Sequence, residues 1–123
     1  MMASTIKFAP ALAAGNTFVL KPAEDTSLSA CKLGEFFIEA GFPDGVMNIV
    51  TGYGYEIGDA LVSHPSVDWV GFTGSTATGK NILKNCGLKR NDLEMGGKSP
   101  CIVMDDANLD DAVRNAVDAI FMF

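Results

Sequence analysis

Val67-Asp68-Trp69-Val70-Gly71-Phe72-Thr73-Gly74-Ser75-Thr76-Ala77-Thr78-Gly79-Lys80 is the stretch on which the reading of the fold turns. Its first half is an apolar run of strand length. Gly71 and Gly74 interrupt that run, and Ser75 or Thr76 then opens a helix. A strand delivered into a Gly/Ser/Thr turn, with a helix directly behind, presents unpaired backbone N–H groups and the positive end of the helix dipole. Glycine removes the Cβ that would keep a ligand off the backbone. The stretch predicts an α/β protein that holds a nucleotide or another phosphate ester at Gly74 to Thr76.

The flanking sequence repeats the same alternation. Helical spacing over Ile6 to Ala14 stops at Gly15, and Thr17-Phe18-Val19-Leu20 reads as a short strand closed by Lys21-Pro22. A helix from Ser27 to Ala40 carries Leu33, Phe36, Phe37 and Ala40 at i, i+3, i+4 and i+7 and ends at Gly41. Strand Val46 to Val50 leads through Gly52-Tyr53-Gly54 into a helix over Glu56 to Val62. After strand Val67 to Phe72 come helix Thr76 to Asn85, a brief strand Asp92 to Met95 and a strand Pro100 to Met104. Asn108 or Asp106 caps a last helix, whose apolar stripe is Leu109, Ala112, Val113, Ala116, Val117 and Ile120. Strands and helices joined by short connections predict a doubly wound, Rossmann-like parallel sheet with helices on both faces. Ligands of such sheets sit at the carboxyl ends of the strands. Lys21 to Glu24, Gly52 to Gly54, Thr73 to Thr76 and Glu94 to Gly97 then share one edge.

Composition narrows the partners. A 123-residue chain that is 48% hydrophobic and 20% charged fits one globular domain. A net charge of -6 excludes nucleic acid as the expected partner. No apolar run approaches the ~20 residues of a membrane span. Cys31, Cys86 and Cys101 are scattered and odd in number, which predicts reduced thiols, no metal site and a cytoplasmic setting. The cysteines read as small core hydrophobes, and His64, the single histidine, as a loop residue. The chain stops at Ala119-Ile120-Phe121-Met122-Phe123 in apolar helical phase. It therefore reads as one truncated domain over 1–123, whose apolar end predicts aggregation or a missing partner.

Two phosphate readings compete at Gly74. Gly74 to Lys80 fits the spacing G-x-x-x-x-G-K of a P-loop NTPase, and Cys101-Ile102-Val103-Met104-Asp105 imitates the strand that helps to hold magnesium. The next position is Asn81, however, which lacks the hydroxyl that ligates Mg²⁺. The other reading rests on Lys21-Pro22-Ala23-Glu24, Phe72-Thr73-Gly74-Ser75-Thr76 and Leu93-Glu94-Met95-Gly96-Gly97-Lys98-Ser99-Pro100, in that order. Together with Ala9 to Thr17 and Glu39 to Pro43, these resemble successive motifs of the NAD(P)-dependent aldehyde dehydrogenase superfamily. The likeness runs from Ile6 onward and covers a minor part of a family subunit.

The resemblance implies roles residue by residue. Lys21, Pro22 and Glu24 match positions around the adenine-side ribose, where a carboxylate accepts sugar hydroxyls and repels a 2′-phosphate, favouring NAD over NADP. Gly52 and Gly54 match the loop beside the adenine. Ser75 and the amides after Gly74 match the pyrophosphate contact, Gly96 and Gly97 let the backbone approach the nicotinamide side, and Phe72, Thr73, Thr78 and Met95 are implied as further cofactor-binding positions. Glu94 matches the general base, which takes a proton from a thiol or a hydrolytic water. The substrate implied is a small-molecule aldehyde, and the subunits of such enzymes associate with one another. Neither the family's nucleophilic cysteine nor its oxyanion-stabilising asparagine falls in this stretch, so the chain alone is expected to bind cofactor without turnover. Asn91-Asp92, poor strand formers, are expected to loosen the position of Glu94. Without the resemblance, Lys21 and Glu24 are a solvated strand end, Glu94 a surface carboxylate and Gly96-Gly97 a tight turn. A non-catalytic nucleotide-binding or interaction module is the rival of another class.

Overall fold

The computed structural model describes residues 2–121. In order they form α1 (Met2–Ala13), β1 (Phe18–Leu20), a 3-10 turn (Glu24–Thr26) that runs into α2 (Ser27–Glu39), and β2 (Met47–Ile49). A π-turn (Gly54–Gly58) then runs into α3 (Asp59–Ser63), followed by β3 (Trp69–Gly74), α4 (Thr76–Asn85), β4 (Arg90–Met95) and α5 (Leu109–Phe121). Gly15 and Gly41 stop α1 and α2 at φ 80° and 79°. The next amides, of Asn16 and Phe42, return to the carbonyls of Ala11 and Phe37 at 3.0 and 3.1 Å, the hydrogen-bonded helix end that a positive φ permits.

Both strand pairs are parallel. Phe18 lies opposite Met47 in β1–β2, and β3–β4 runs from Trp69 opposite Arg90 to Gly74 opposite Met95. A parallel pair needs a crossover, which α2 and α4 supply. The side chains show which face each helix covers. Phe8 of α1 meets Phe18 and Phe37 edge-on at 6.1 and 5.6 Å, and Ile49 packs against Gly34 of α2, so α1 and α2 share one face of β1–β2. Val70, Phe72 and Leu93 pack instead on Val62, Ile82 and Cys86, which belong to α3 and to α4 and its end. On the far side of β3–β4, Lys7 of α1 pairs with Asp92 at 3.5 Å. Helices therefore cover opposite faces of the two pairs. With right-handed crossovers, β1→β2 and β3→β4 must then advance in opposite directions. The two pairs are not hydrogen-bonded to each other, and the reversal lies between them. It is the switch point at which a doubly wound sheet receives ligands.

Several expectations change. The sheet is present as two separate hydrogen-bonded pairs rather than one ladder. The run at 100–104 forms no strand: an apolar run signals burial, but pairing needs a neighbouring edge, and Ile102 and Met104 are 74% and 64% exposed. Cys101 is exposed with it, and Cys31 faces outward from α2, so only Cys86 is a core thiol. Phe36 is also exposed, whereas its neighbour Phe37 packs inward. Asn91 and Asp92 do not shorten β4, which spans six residues. Pairing along β3 and the Lys7–Asp92 contact outweigh their weak strand preference. Asn108 is the cap of α5, its Oδ1 accepting from the amides of Asp110 and Asp111 at 3.0 and 3.3 Å. The α5 stripe at Leu109, Val113, Val117 and Ile120 is exposed, and Met122 and Phe123 lie outside the described residues. Among the described residues no helix is long and apolar enough to cross a membrane.

Ile82 sits at the centre of the β3–β4 core at 6% exposure, whereas Leu28 on α2 is 89% exposed. Urea denaturation should show Ile82→Ala losing about 2–4 kcal/mol of stability and Leu28→Ala less than about 0.5 kcal/mol.

Candidate functional site

β1 ends at Leu20, and the chain leaves it through Lys21 and the buried Pro22. Lys21 Nζ donates to the carbonyls of Pro22 and Gly52 at 2.8 and 3.0 Å, and to Glu24 Oε1 at 3.3 Å. The same Oε1 accepts the Gly54 amide at 2.7 Å. One lysine and one carboxylate from the end of β1 thus hold both ends of the Gly52-Tyr53-Gly54 loop at the end of β2. Gly52 has φ 149°, and Ile57 fills the place its Cβ would take, so backbone geometry alone requires glycine there. No other residue is bonded to Glu24 Oε2 among the described residues, and that oxygen remains open to a further donor. The Glu24 carboxyl is held below its ordinary value of 4.5, first by its own backbone amide, then by the Gly54 amide and by Lys21.

Across the switch point, β3 ends at Gly74 and Ser75 caps α4. Ser75 Oγ accepts the Thr78 amide at 3.1 Å and lies 2.9 Å from the Thr78 hydroxyl. The amides of Thr76 and Ala77 have no partner within the helix, and residues 73–78 are all exposed. The Phe72 ring packs on the Val62–Ile82 core and also takes the place a Cβ would have on Gly74. Met95 also points at α4, where its sulfur occupies the space of a Cβ on Gly79. Thr73 and Glu94 stand opposite each other in register on the other face, both exposed. Gly96 and Gly97 follow β4 with open space where a Cβ would stand.

Two groupings result: Lys21, Pro22, Glu24, Gly52 and Gly54 on one side, and Gly74, Ser75, Thr78 and Met95 around the start of α4 on the other. No hydrogen bond joins them among the described residues. A hollow lined by Leu20, Pro22, Thr26 and Leu33 lies behind the first grouping and includes neither Glu24 nor Ser75. The P-loop reading fails on geometry. Gly79 is already in α4, its amide bonded to the Ser75 carbonyl at 3.0 Å, so Thr76 to Lys80 is helix where a phosphate-cradling loop would have to be open. His64 is a loop residue whose Nδ1 accepts the Ser66 amide at 3.2 Å. Among the described residues no three His, Cys, Asp or Glu side chains converge on a metal position. Sequence reasoning missed the reach of Lys21 to the Gly52 carbonyl and the stacking of Tyr53 on Tyr55, although two tyrosines flanking Gly54 were a visible signal.

The model of the aldehyde dehydrogenase family matches residues 1–123. The chain is 52% identical over 120 residues to 5-carboxymethyl-2-hydroxymuconate semialdehyde dehydrogenase of Escherichia coli, covering 98% of this chain and 26% of that protein. Its fold is similar to that of PnpE from Pseudomonas sp. WBC-3 in complex with nicotinamide adenine dinucleotide, with TM-score 0.90 and 51% identity over 98% of this chain and 25% of that one. It is also similar to an NADP-dependent enzyme of E. coli, with TM-score 0.89 and 49% identity over 94% of this chain and 24% of that one. The chain spans about a quarter of the length of the relatives it matches.

A carboxyl whose pKa is lower in the folded chain than in the unfolded one stabilises the fold above the unfolded value and ceases to do so as acid carries the pH through the folded value. The Gly54 amide resonance should therefore titrate as the pH falls, with a midpoint below the ordinary glutamate value of 4.5. Glu24→Gln should keep the hydrogen bond and abolish the titration. Gly79→Ala should cost about 1–3 kcal/mol by displacing Met95, with part of the loss recovered in the Met95→Ala background.

Proposed function

The chain belongs to the aldehyde dehydrogenase family, and on that premise we propose that its carboxyl-end surface holds NAD for the oxidation of an aldehyde to a carboxylic acid. The observation that carries the reading is the placement of a carboxylate, Glu24, and an exposed helix N-terminus, at Ser75, on the two sides of the switch point. The residues present fit a dinucleotide. The free amides of Thr76 and Ala77, with the α4 dipole behind them, suit the pyrophosphate. Glu24 Oε2 is free to accept ribose hydroxyls while Oε1 keeps the loop in place. Lys21 is bonded along the same edge and offsets the carboxylate charge. When bound, NAD supplies the hydride acceptor.

The chain's own residues do the rest of what this segment contributes. Glu94, at the end of β4 and exposed, is the general base that takes a proton from a thiol or from water. Gly96 leaves the backbone open for close approach on the nicotinamide side. The nucleophilic thiol is none of Cys31, Cys86 and Cys101: Cys86 is buried under α4, and the other two lie outside the strand ends that carry the site. A polypeptide of these 123 residues accordingly binds NAD without oxidising aldehydes. Glu24 directs the choice toward NAD, because a 2′-phosphate would stand against a carboxylate that is ionised at neutral pH.

Calorimetric titration of the chain with NAD and with NADP tests the reading. NAD should bind more tightly, and Glu24→Gln should move the ratio of affinities toward NADP roughly tenfold, the charge repulsion being removed while the Gly54 bond is kept. Absence of NAD binding, or a ratio indifferent to Glu24→Gln, would sink it. NADH formation on adding aldehydes would overturn the assignment of the nucleophile elsewhere.

A further inference from the structure

Each of the four strands has a single hydrogen-bonded neighbour among the described residues, so β1 and β3 both keep an unpaired edge. Side chains of α1 show how those edges lie. Phe8 packs on Phe18 of β1. Lys7 passes Gly71 of β3, its Cδ 3.2 Å from where a Cβ would stand, and its ammonium goes on to Asp92 of β4. Away from α1, β3 therefore comes before β4, and the free edge of β3 is turned toward β1. The Phe18 amide and the Leu20 carbonyl bond to Val46 and Val50 on the β2 side, so alternation turns the Val19 amide and carbonyl to the other edge. A helix with its side chains is about 10 Å across and strands lie about 4.8 Å apart. One helix that touches both sides of the gap thus leaves room for one strand.

The same molecule carries an apolar run without an edge. Pro100 to Met104 forms neither helix nor strand, and Ile102, Val103 and Met104 are exposed. A parallel strand buried on both faces needs apolar residues at successive positions, which Cys101-Ile102-Val103-Met104 supplies. Pro100, lacking an N–H, is tolerated at the first position of a strand. The run cannot enter its own gap in the parallel sense. β4 advances over Arg90–Met95, about 20 Å, and the chain would have to return that far. The steps from Met95 to Pro100 span at most about 18 Å, before any sideways travel past β3.

We propose that the Cys101–Met104 run of one copy of the chain enters the gap between β1 and β3 of a second copy as a parallel central strand. Backbone hydrogen bonds to both edges hold it, as in other strand additions, and its apolar side chains leave water. Donor run and acceptor gap are different surfaces, so the contact is heterologous, and each copy gives one strand while receiving another.

Sedimentation velocity and amide exchange of the 123-residue chain test this. The wild type should gain mass with concentration, and the Val19 amide should exchange about tenfold more slowly in the associated form. Ile102→Lys alters a side chain that is exposed in the single copy, so the fold is retained and association should stop. Val19→Pro removes the gap-facing amide and blocks the acceptor edge. Mixing these two variants should give a one-to-one dimer, although neither associates alone, because the first offers its gap and the second its run. Should Val19→Pro fail to fold, a synthetic peptide of residues 98–106 replaces it, and should bind Ile102→Lys chains and protect their Val19 amide. A wild-type chain that stays monomeric overturns the proposal. So does association stopped by Val113→Lys on α5 but not by Ile102→Lys, or a Val19 amide that the peptide leaves unchanged.

Discussion

Parallel neighbours cannot be joined by a tight turn, and in this chain that constraint determines where chemistry is possible. Each strand pair is reached through a helix, and the helices of the two pairs lie on opposite faces: α1 and α2 behind Phe18, Leu20 and Ile49, α3 and α4 behind Val70, Phe72 and Leu93. Because crossover handedness is fixed, opposite faces force the strand order to reverse. The reversal lies between the two pairs, the place at which doubly wound sheets in general receive ligands. Lys7 of α1, reaching Asp92 across the second pair, ties the halves together on the shared face, though a half-exposed pair of this kind is worth at most about 1 kcal/mol. The main packing stays within each half.

At the carboxyl ends of the strands one oxygen of the Glu24 carboxylate binds neighbouring residues and the other is bonded to no other residue among those described. Glu24 Oε1 fixes the Gly54 amide and meets Lys21, so the loop after β2 is set by the end of β1 before anything binds. A ligand that engages Oε2 then meets a surface whose rotamers are already restricted, and less ordering entropy opposes binding. The α4 side is prepared differently. Ser75 satisfies the Thr78 amide, and the two amides ahead of it have no partner within the helix. Specific hydrogen bonds prepare one side and a helix end prepares the other.

What the sequence disclosed and what it hid follow from the range of each signal. Helix α4 was read at Thr76 to Asn85 and forms over those residues, because its start is marked by a hydroxyl cap and its apolar positions have one period. The glycine stops after α1 and α2 are equally local. Pro100 to Met104 misled because an apolar run says that a segment is compatible with burial, not that an edge is waiting beside it. Cys31 and Cys101 misled for the same reason: composition gives their preference, and only the packing decides which side of α2, or which segment, is covered. Gly74 to Lys80 matched a phosphate-loop spacing, yet spacing does not say where coil ends and helix begins. The Glu24–Gly54 bond joins residues 30 apart and left no local trace beyond the two residue types.

The cofactor edge and the candidate base differ in how firmly the described residues place them. Lys21, Glu24, Gly52 and Gly54 constrain one another through hydrogen bonds. Glu94 has no such network. Its position is carried by the β4 backbone, which β3 pairs residue for residue, and by Leu93 before it, which is anchored in the Val62–Ile82 core and so turns Glu94 to the opposite face. Strand alternation therefore orients the carboxylate where side-chain bonds do not. An exposed carboxylate oriented in this way is free to change partners during a reaction, as a proton acceptor must, whereas Glu24 is committed through Oε1 and suited to holding a ligand still. The two glutamates owe their different proposed roles to that difference in bonding, since both sit at the carboxyl ends of parallel strands.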